Sequence, residues 1–354
     1  MENKATRIVF LDILRVLACF MVIMVHSGEF FYIGNGGTLI RDNSLWVGIY
    51  GSLLRSSVPL FVMISGFLLL PIKLTPSDFY KRRFTRILIP LLFWSVLYAI
   101  IPCLLGEYGT TDMVRNLVRI PINFSDKCGH LWYVYMLIGL YLFIPILSPW
   151  IQSTSKRFEQ GFLLVWGITL LIPYLKMIFP EMFGEAYWNP YSSVYYFSGF
   201  IGYLVLGHYL KEHVHLPQGK SILIGSLLII LGYAITYYGF ALNMESAPDV
   251  ASVELTWKFT TINVAMMATG LFLIIKSIRI NPDMKAGLLT NVSNLSFGMY
   301  LAHIFILNQL FKVWSSLFSS PMVIIPILAI STFITTYLLI KALSFLPKSK
   351  YIVG

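Results

Sequence analysis

Two ionisable residues, Arg15 and His26, stand inside the first apolar run of the chain, IVFLDILRVLACFMVIMVHSGEFF. An arginine there can hold an anion, and a neutral imidazole can take a proton from a hydroxyl. Ionisable groups within an apolar span are costly, so they face a protein interior or a water-filled path and mark function. Eleven residues of α-helix turn through about 1100°, close to three full turns, and advance about 16 Å. Both side chains therefore project from nearly one face, as the two ends of one site. Asp12, one turn before Arg15, is placed to neutralise it in part, and Glu29, one turn beyond His26, to orient the imidazole. The plainer reading of the same residues is a structural ion pair and an interfacial histidine.

Three further clusters carry polar chemistry. KLTPSDFYKRRFTRILIP places basic residues from Lys81 to Arg86 directly before an apolar span, and Arg83 and Arg86 share one helical face. Guanidinium groups so paired hold phosphates by bidentate hydrogen bonds, although such a run also serves as an orientation signal. LLRSSVPLFVMISGFLLL carries Arg55 and Ser65, with Ser65–Gly66 allowing close approach of another helix. CGHLWYVYMLIGLYLFIP opens with His130 and Trp132 at a span boundary, and SNLSFGMYLAHIFILNQLF adds Tyr300 and His303 at depth. The bland alternatives are an aromatic belt for the first and an uncharged, hydrogen-bonded histidine for the second.

The elements that must position these groups follow from composition. The chain is 57% hydrophobic and 12% charged, against roughly 25% charged in an ordinary soluble domain. Ten apolar segments are expected to span a bilayer, at about 8–28, 46–70, 86–106, 131–150, 162–180, 193–211, 220–241, 257–278, 295–312 and 322–346. Each approaches the ~20 residues that crossing requires. The expectation is one all-α polytopic domain over residues 1–354, with no separate soluble domain. Arg15 interrupts the first apolar core, so that segment reads as a retained helix and not a cleaved signal.

Lys81, Arg82, Arg83, Arg86, Lys276, Arg279 and Lys285 fall in segments on one side, whereas Glu107, Asp112, Glu181 and Asp249 fall on the other. That is the positive-inside pattern and predicts both termini in the cytoplasm. The net charge of +10 then reflects topology and anionic lipid, not a nucleic-acid partner. Three cysteines and six histidines show no metal-ligand spacing, so no metal site is expected.

Read in order, the pieces resemble acyltransferase family three, a group of membrane-bound acyltransferases. They are the Asp-x-x-Arg start with His26 following Arg15, VPLFVMISGF at 58–67, RFTR at 83–86 followed by ILIP, HLWY at 130–133 and LSFGMYLAH at 295–303. Methionines in the second-span motif are the chief departure. The likeness is greatest to short members, without a fused esterase-like domain, that O-acetylate surface glycans or their lipid-linked precursors. The resemblance implies an acyl group, commonly acetyl, taken from cytoplasmic acetyl-CoA or another acyl-CoA and delivered to a sugar hydroxyl at the outer leaflet. It implies His26 as the essential histidine, Arg83 and Arg86 on the donor phosphates and Arg15 further up the channel. It also implies a bacterial inner membrane, with no bound cofactor besides the donor. Arg55, Ser65, His130, Trp132 and Tyr300 are open candidates for the oxyanion stabiliser. A transporter or flippase of a glycan precursor is the rival reading, and a scaffold without chemistry the third. Aromatics at Tyr187, Trp188, Tyr191, Tyr195 and Tyr196 suit either sugar stacking or interface anchoring.

Overall fold

The computed structural model describes residues 7–42, 44–183, 189–278 and 287–354. Arg279, Lys285, Tyr187 and Trp188, named above, lie outside them. About 80% of the chain is helical, and the described residues hold one isolated antiparallel bridge, Ile33 to Leu39, and no strand. The first half comprises α1 (Val9–Glu29), α2 (Ser44–Leu54), α3 (Ser57–Leu69), α4 (Pro76–Leu104), α5 (Thr110–Arg119), α6 (Trp132–Ser153), α7 (Lys156–Thr169) and α8 (Ile172–Ile178). The second comprises α9 (Pro180–Phe183), α10 (Ile201–Glu212), α11 (Gln218–Ser246), α12 (Val250–Val253), α13 (Ile262–Ser277), α14 (Gly287–Leu317), α15 (Pro321–Leu343) and α16 (Lys350–Val353).

Among the described residues, seven segments are long and apolar enough to cross a bilayer: α1, Ser44–Leu69, α4, Lys127–Ser153, Lys156–Ile178, α11 and α15. Val250–Trp257 and Ile262–Ser277 qualify as a pair bent by 43°, which makes up to eight. The expected ten are not reached, for two local reasons. Segment 193–211 is a 3-10 turn (Ser192–Phe197), a break at Gly199 with φ +82° and the 12-residue α10. Twelve helical residues cover about 18 Å, short of the ~30 Å hydrocarbon core. Helix α14 is long enough at 31 residues, but its polar face leaves it less apolar than the others.

Helix α4 begins ten residues before the expected span, because TPSD is a complete start signal. The Thr75 hydroxyl accepts from the Asp78 N–H and donates to its carboxylate, with Pro76 in the first turn. Arg83 and Arg86 therefore sit within a continuous 29-residue helix and not ahead of it. The helix runs through Pro90 and Pro102 without a break.

Two contacts set the frame of the site. Helices α1 and α14 run parallel and in step: Arg15 bonds Ser293, Cys19 bonds the Ser296 carbonyl, and the His26 ring lies beside His303. A nearly constant offset along both helices brings residues far apart in sequence to matching depths. Helices α3 and α10 touch backbone to backbone. A Cβ on Gly66 would lie 2.0 Å from the Leu204 carbonyl oxygen, and one on Gly207 2.1 Å from that of Met63. Only small residues permit such an approach.

Candidate active site

The polar face of α14 is built by spacing. Ser293, Ser296, Tyr300 and His303 recur at three, four and three residues, one stripe of a 3.6-residue helix, and all are buried. At the lower end of this stripe Ser293 donates to Asp12 at 2.7 Å and accepts from Arg15 Nη1 at 3.0 Å. Asp12 is 3% exposed. Its principal partner is Arg7, whose Nη2 donates at 2.9 Å, while Arg15 Nη1 stands 3.5 Å away. Arg7 also donates to Asn294 Oδ1 at 3.0 Å. The expected Asp12–Arg15 pair is thus one edge of a larger network that holds the Arg15 guanidinium. Arg7 and Ser293 are the members sequence reading missed. Arg7 lies ahead of the helix, where i, i+3 and i, i+4 pairing rules do not apply.

Arg15 then faces a cavity of about 480 Å³, together with Arg83 and Arg86 of α4 and Ser65 of α3. Tyr133 and Tyr141 of α6 and Ser293, Asn294, Ser296 and Tyr300 of α14 complete its polar wall. Phe61, Ile64, Leu68 and Leu137 are among its apolar lining. Among the described residues no aspartate or glutamate side chain lines this space. Among the described residues no carboxylate forms an ion pair with Arg83 or Arg86. Arg83 instead lies over the Phe79 ring, 5.8 Å from its centroid. Three guanidinium groups around a cavity with no carboxylate in its described lining have the charge and geometry that suit a polyanion. Ser65 contributes wall and not a free donor, since its hydroxyl already donates to the Phe61 carbonyl at 3.0 Å.

Tyr300 joins this cavity to a second cluster. Its hydroxyl donates to the His130 carbonyl, and its ring centroid stands 5.6 Å from His130 and 5.8 Å from His303. His26 completes the group, 5.3 Å from His303 and 6.3 Å from His130. Each imidazole is oriented by one acceptor. His26 Nδ1 donates to Glu29 Oε2 at 2.8 Å, and His303 Nδ1 to the Tyr300 carbonyl at 2.6 Å. His130 Nε2 faces the Leu301 carbonyl at 3.4 Å. A nitrogen that donates to an oxygen leaves the other as the lone pair of a neutral ring. With Nδ1 held by Glu29, His26 Nε2 is the ring nitrogen left to face the cluster, on a side chain 17% exposed. His130 Nδ1 and His303 Nε2 are buried without a hydrogen-bond partner.

Arg55 and Trp132 lie outside this trio. Arg55 is stacked over the Trp257 ring at 4.0 Å and pairs with Glu254 at 3.6 Å, and Tyr32 bonds the same carboxylate. Trp132 stacks on Phe259 at 5.5 Å and meets Phe200 at 5.9 Å. Among the described residues no group of three His, Cys, Asp or Glu side chains is arranged to hold a metal ion.

Comparison with known proteins adds one finding. The family model described as an acyltransferase domain matches residues 8–341, nearly the whole chain. No curated protein and no solved structure matches the chain significantly.

Proposed function

The chain belongs to acyltransferase family three, and from that premise we propose that it is a membrane O-acyltransferase. In this reading it moves an acyl group, acetyl by preference, from cytoplasmic acyl-CoA to a hydroxyl of a cell-envelope glycan or lipid-linked sugar. One observation carries the reading: Tyr300 lines the acid-free arginine cavity on one side and packs against His130 and His303, beside His26, on the other. Anion binding and proton abstraction are thereby joined in one interior.

The donor enters with its phosphates on Arg83 and Arg86, and Arg15 meets the arm beyond them. Along α1 the rise from Arg15 to His26 is about 16 Å, comparable with the thin arm that separates the nucleotide of an acyl-CoA from its thioester. His26 Nε2 takes the proton of the acceptor hydroxyl while its oxygen attacks the thioester carbonyl carbon. The tetrahedral intermediate collapses with loss of the coenzyme A thiolate. The His26 imidazolium returns its proton to that sulfur, leaving an ester and a free thiol. Glu29 holds Nδ1–H and stabilises the imidazolium as it forms. The arginine end faces the cytoplasm of a bacterial inner membrane, in keeping with the charge asymmetry of the loops.

The test uses sided proteoliposomes, with radiolabelled acetyl-CoA outside and sugar acceptors sealed inside. Labelled sugar within the lumen supports transmembrane acyl transfer. Export of unmodified sugar without acetyl-CoA turnover would instead support transport.

A further inference from the structure

Helix α5 does not belong to the bundle that builds the site, and its surface is unlike that of the spans. Ten residues of helix extend about 15 Å, too short to cross. Both ends are tied to the bundle. Just before it Tyr108 donates to the Ala99 carbonyl of α4 at 2.6 Å, and just after it the Ile120 carbonyl accepts from Tyr135 of α6 at 2.7 Å. At about 100° per residue, Met113, Leu117, Val114 and Val118 form one apolar arc. The bundle covers only part of it: Met113 and Leu117 are half-buried. Val114, Val118 and the following Ile122 are 53%, 72% and 85% exposed. Arg115 borders the open part of the arc and pairs with Asp112 at 2.9 Å, and Arg119 lies one step further round; both are exposed, as are Leu104 and Leu105 at the adjoining end of α4.

We propose that α5 is an interfacial helix seated in the headgroup layer of the bilayer. Val114, Val118 and Ile122 lie among the upper acyl chains, and Arg115 and Arg119 lie on anionic lipid phosphates. Two observations select lipid as the occupant. The open apolar stripe is continuous with the exposed apolar end of α4, a bilayer-spanning helix. The cations also stand at the edge of the stripe, where phosphates lie above the acyl chains. The inference rests on the membrane spans alone and not on the acyl-transfer reading. From α5 the chain runs into the turn Asp126–Leu131 that carries His130, so lipid seating would steady one wall of the histidine cluster.

The experiment uses the full chain in lipid nanodiscs, with Cys103→Ala as background because Cys19 and Cys128 are buried. Val114→Cys, Val118→Cys and, on the polar side of the helix, Asp112→Cys each carry an environment-sensitive fluorophore. Positions 114 and 118 should be quenched severalfold more strongly than 112 by a spin label placed near the lipid headgroup. Position 112 should be quenched more by aqueous acrylamide. The double change Arg115→Glu with Arg119→Glu should weaken lipid quenching at 118 in anionic bilayers and leave it unchanged in neutral ones. Equal acrylamide quenching at all three positions would place α5 in water and overturn the proposal. Lipid quenching indifferent to charge reversal in anionic bilayers would overturn the phosphate contact.

Discussion

Glu29 and the arginine pair act on different stages of the proposed reaction, so their substitutions should separate. Glu29 holds His26 Nδ1 at 2.8 Å, and its loss frees the ring to turn and change tautomer. Glu29→Gln keeps the shape and an acceptor but removes the charge that favours imidazolium. Turnover should fall by about tenfold, less than the 10²–10⁴ that a general base itself contributes, with donor affinity unchanged. Steady-state transfer alongside equilibrium donor binding would show this split. Arg83→Ala and Arg86→Ala should act oppositely. Each removes charge-assisted hydrogen bonds worth about 1.5–3 kcal/mol, so donor Kd should rise by at least about tenfold. The effect should shrink when salt screens the wild-type site. These candidates were readable because charge is conspicuous within apolar sequence: Arg15 and His26 stand out singly, and Arg83 and Arg86 within a basic run. The meeting of His130 and His303 with His26 was not readable. It depends on how α14 lies beside α1, an offset no local spacing encodes. Arg7 was hidden because it lies ahead of the helix and meets Asp12 outside the i, i+3 and i, i+4 pairings, with a long-range contact to Asn294.

At the scale of elements, the site rests on close helix contacts as much as on polar groups. Helix α3 supplies one cavity wall through Phe61, Ser65 and Leu68, and its opposite face is held against α10 by Gly66 and Gly207. Gly66→Val should drive side-chain atoms into the Leu204 carbonyl, where even a Cβ would lie at 2.0 Å. Overpacking of this kind costs about 1–3 kcal/mol. A lower melting temperature in detergent is expected, together with weaker donor binding as the wall shifts. Gly161→Val, at an exposed position with no atom within 4 Å of the added Cβ, is the matched control and should leave both unchanged. The Ser65–Gly66 pair advertised a close helix approach, yet nothing local named α10 as the partner. The start of α4 was legible in TPSD, but apolarity placed the span ten residues too late. Helix start follows hydrogen bonding at the cap, whereas apolarity reports only the part inside the bilayer.

For the whole molecule, the account requires the arginine cavity and the histidine cluster to open toward opposite faces of the membrane. Gln152→Cys, in the last turn of α6, and Thr110→Cys, at the start of α5, are exposed positions at opposite ends. An impermeant thiol reagent should label Thr110→Cys from outside intact cells and Gln152→Cys only after lysis. Composition alone was enough to read a polytopic helical membrane protein. The number of spans was not, because segment 193–211 is broken by local geometry that average hydropathy does not report, and α14, although long enough, carries a polar face that makes it less apolar than the other spans. The central claim is that His26 performs the chemistry on a donor that other residues hold. It is tested most directly by measuring acyl-CoA binding and acyl transfer on one reconstituted preparation each of the wild-type protein and His26→Ala. The account predicts unchanged donor affinity with transfer reduced by about 10²–10⁴. Transfer that survives in His26→Ala, or donor binding lost along with it, would contradict the account.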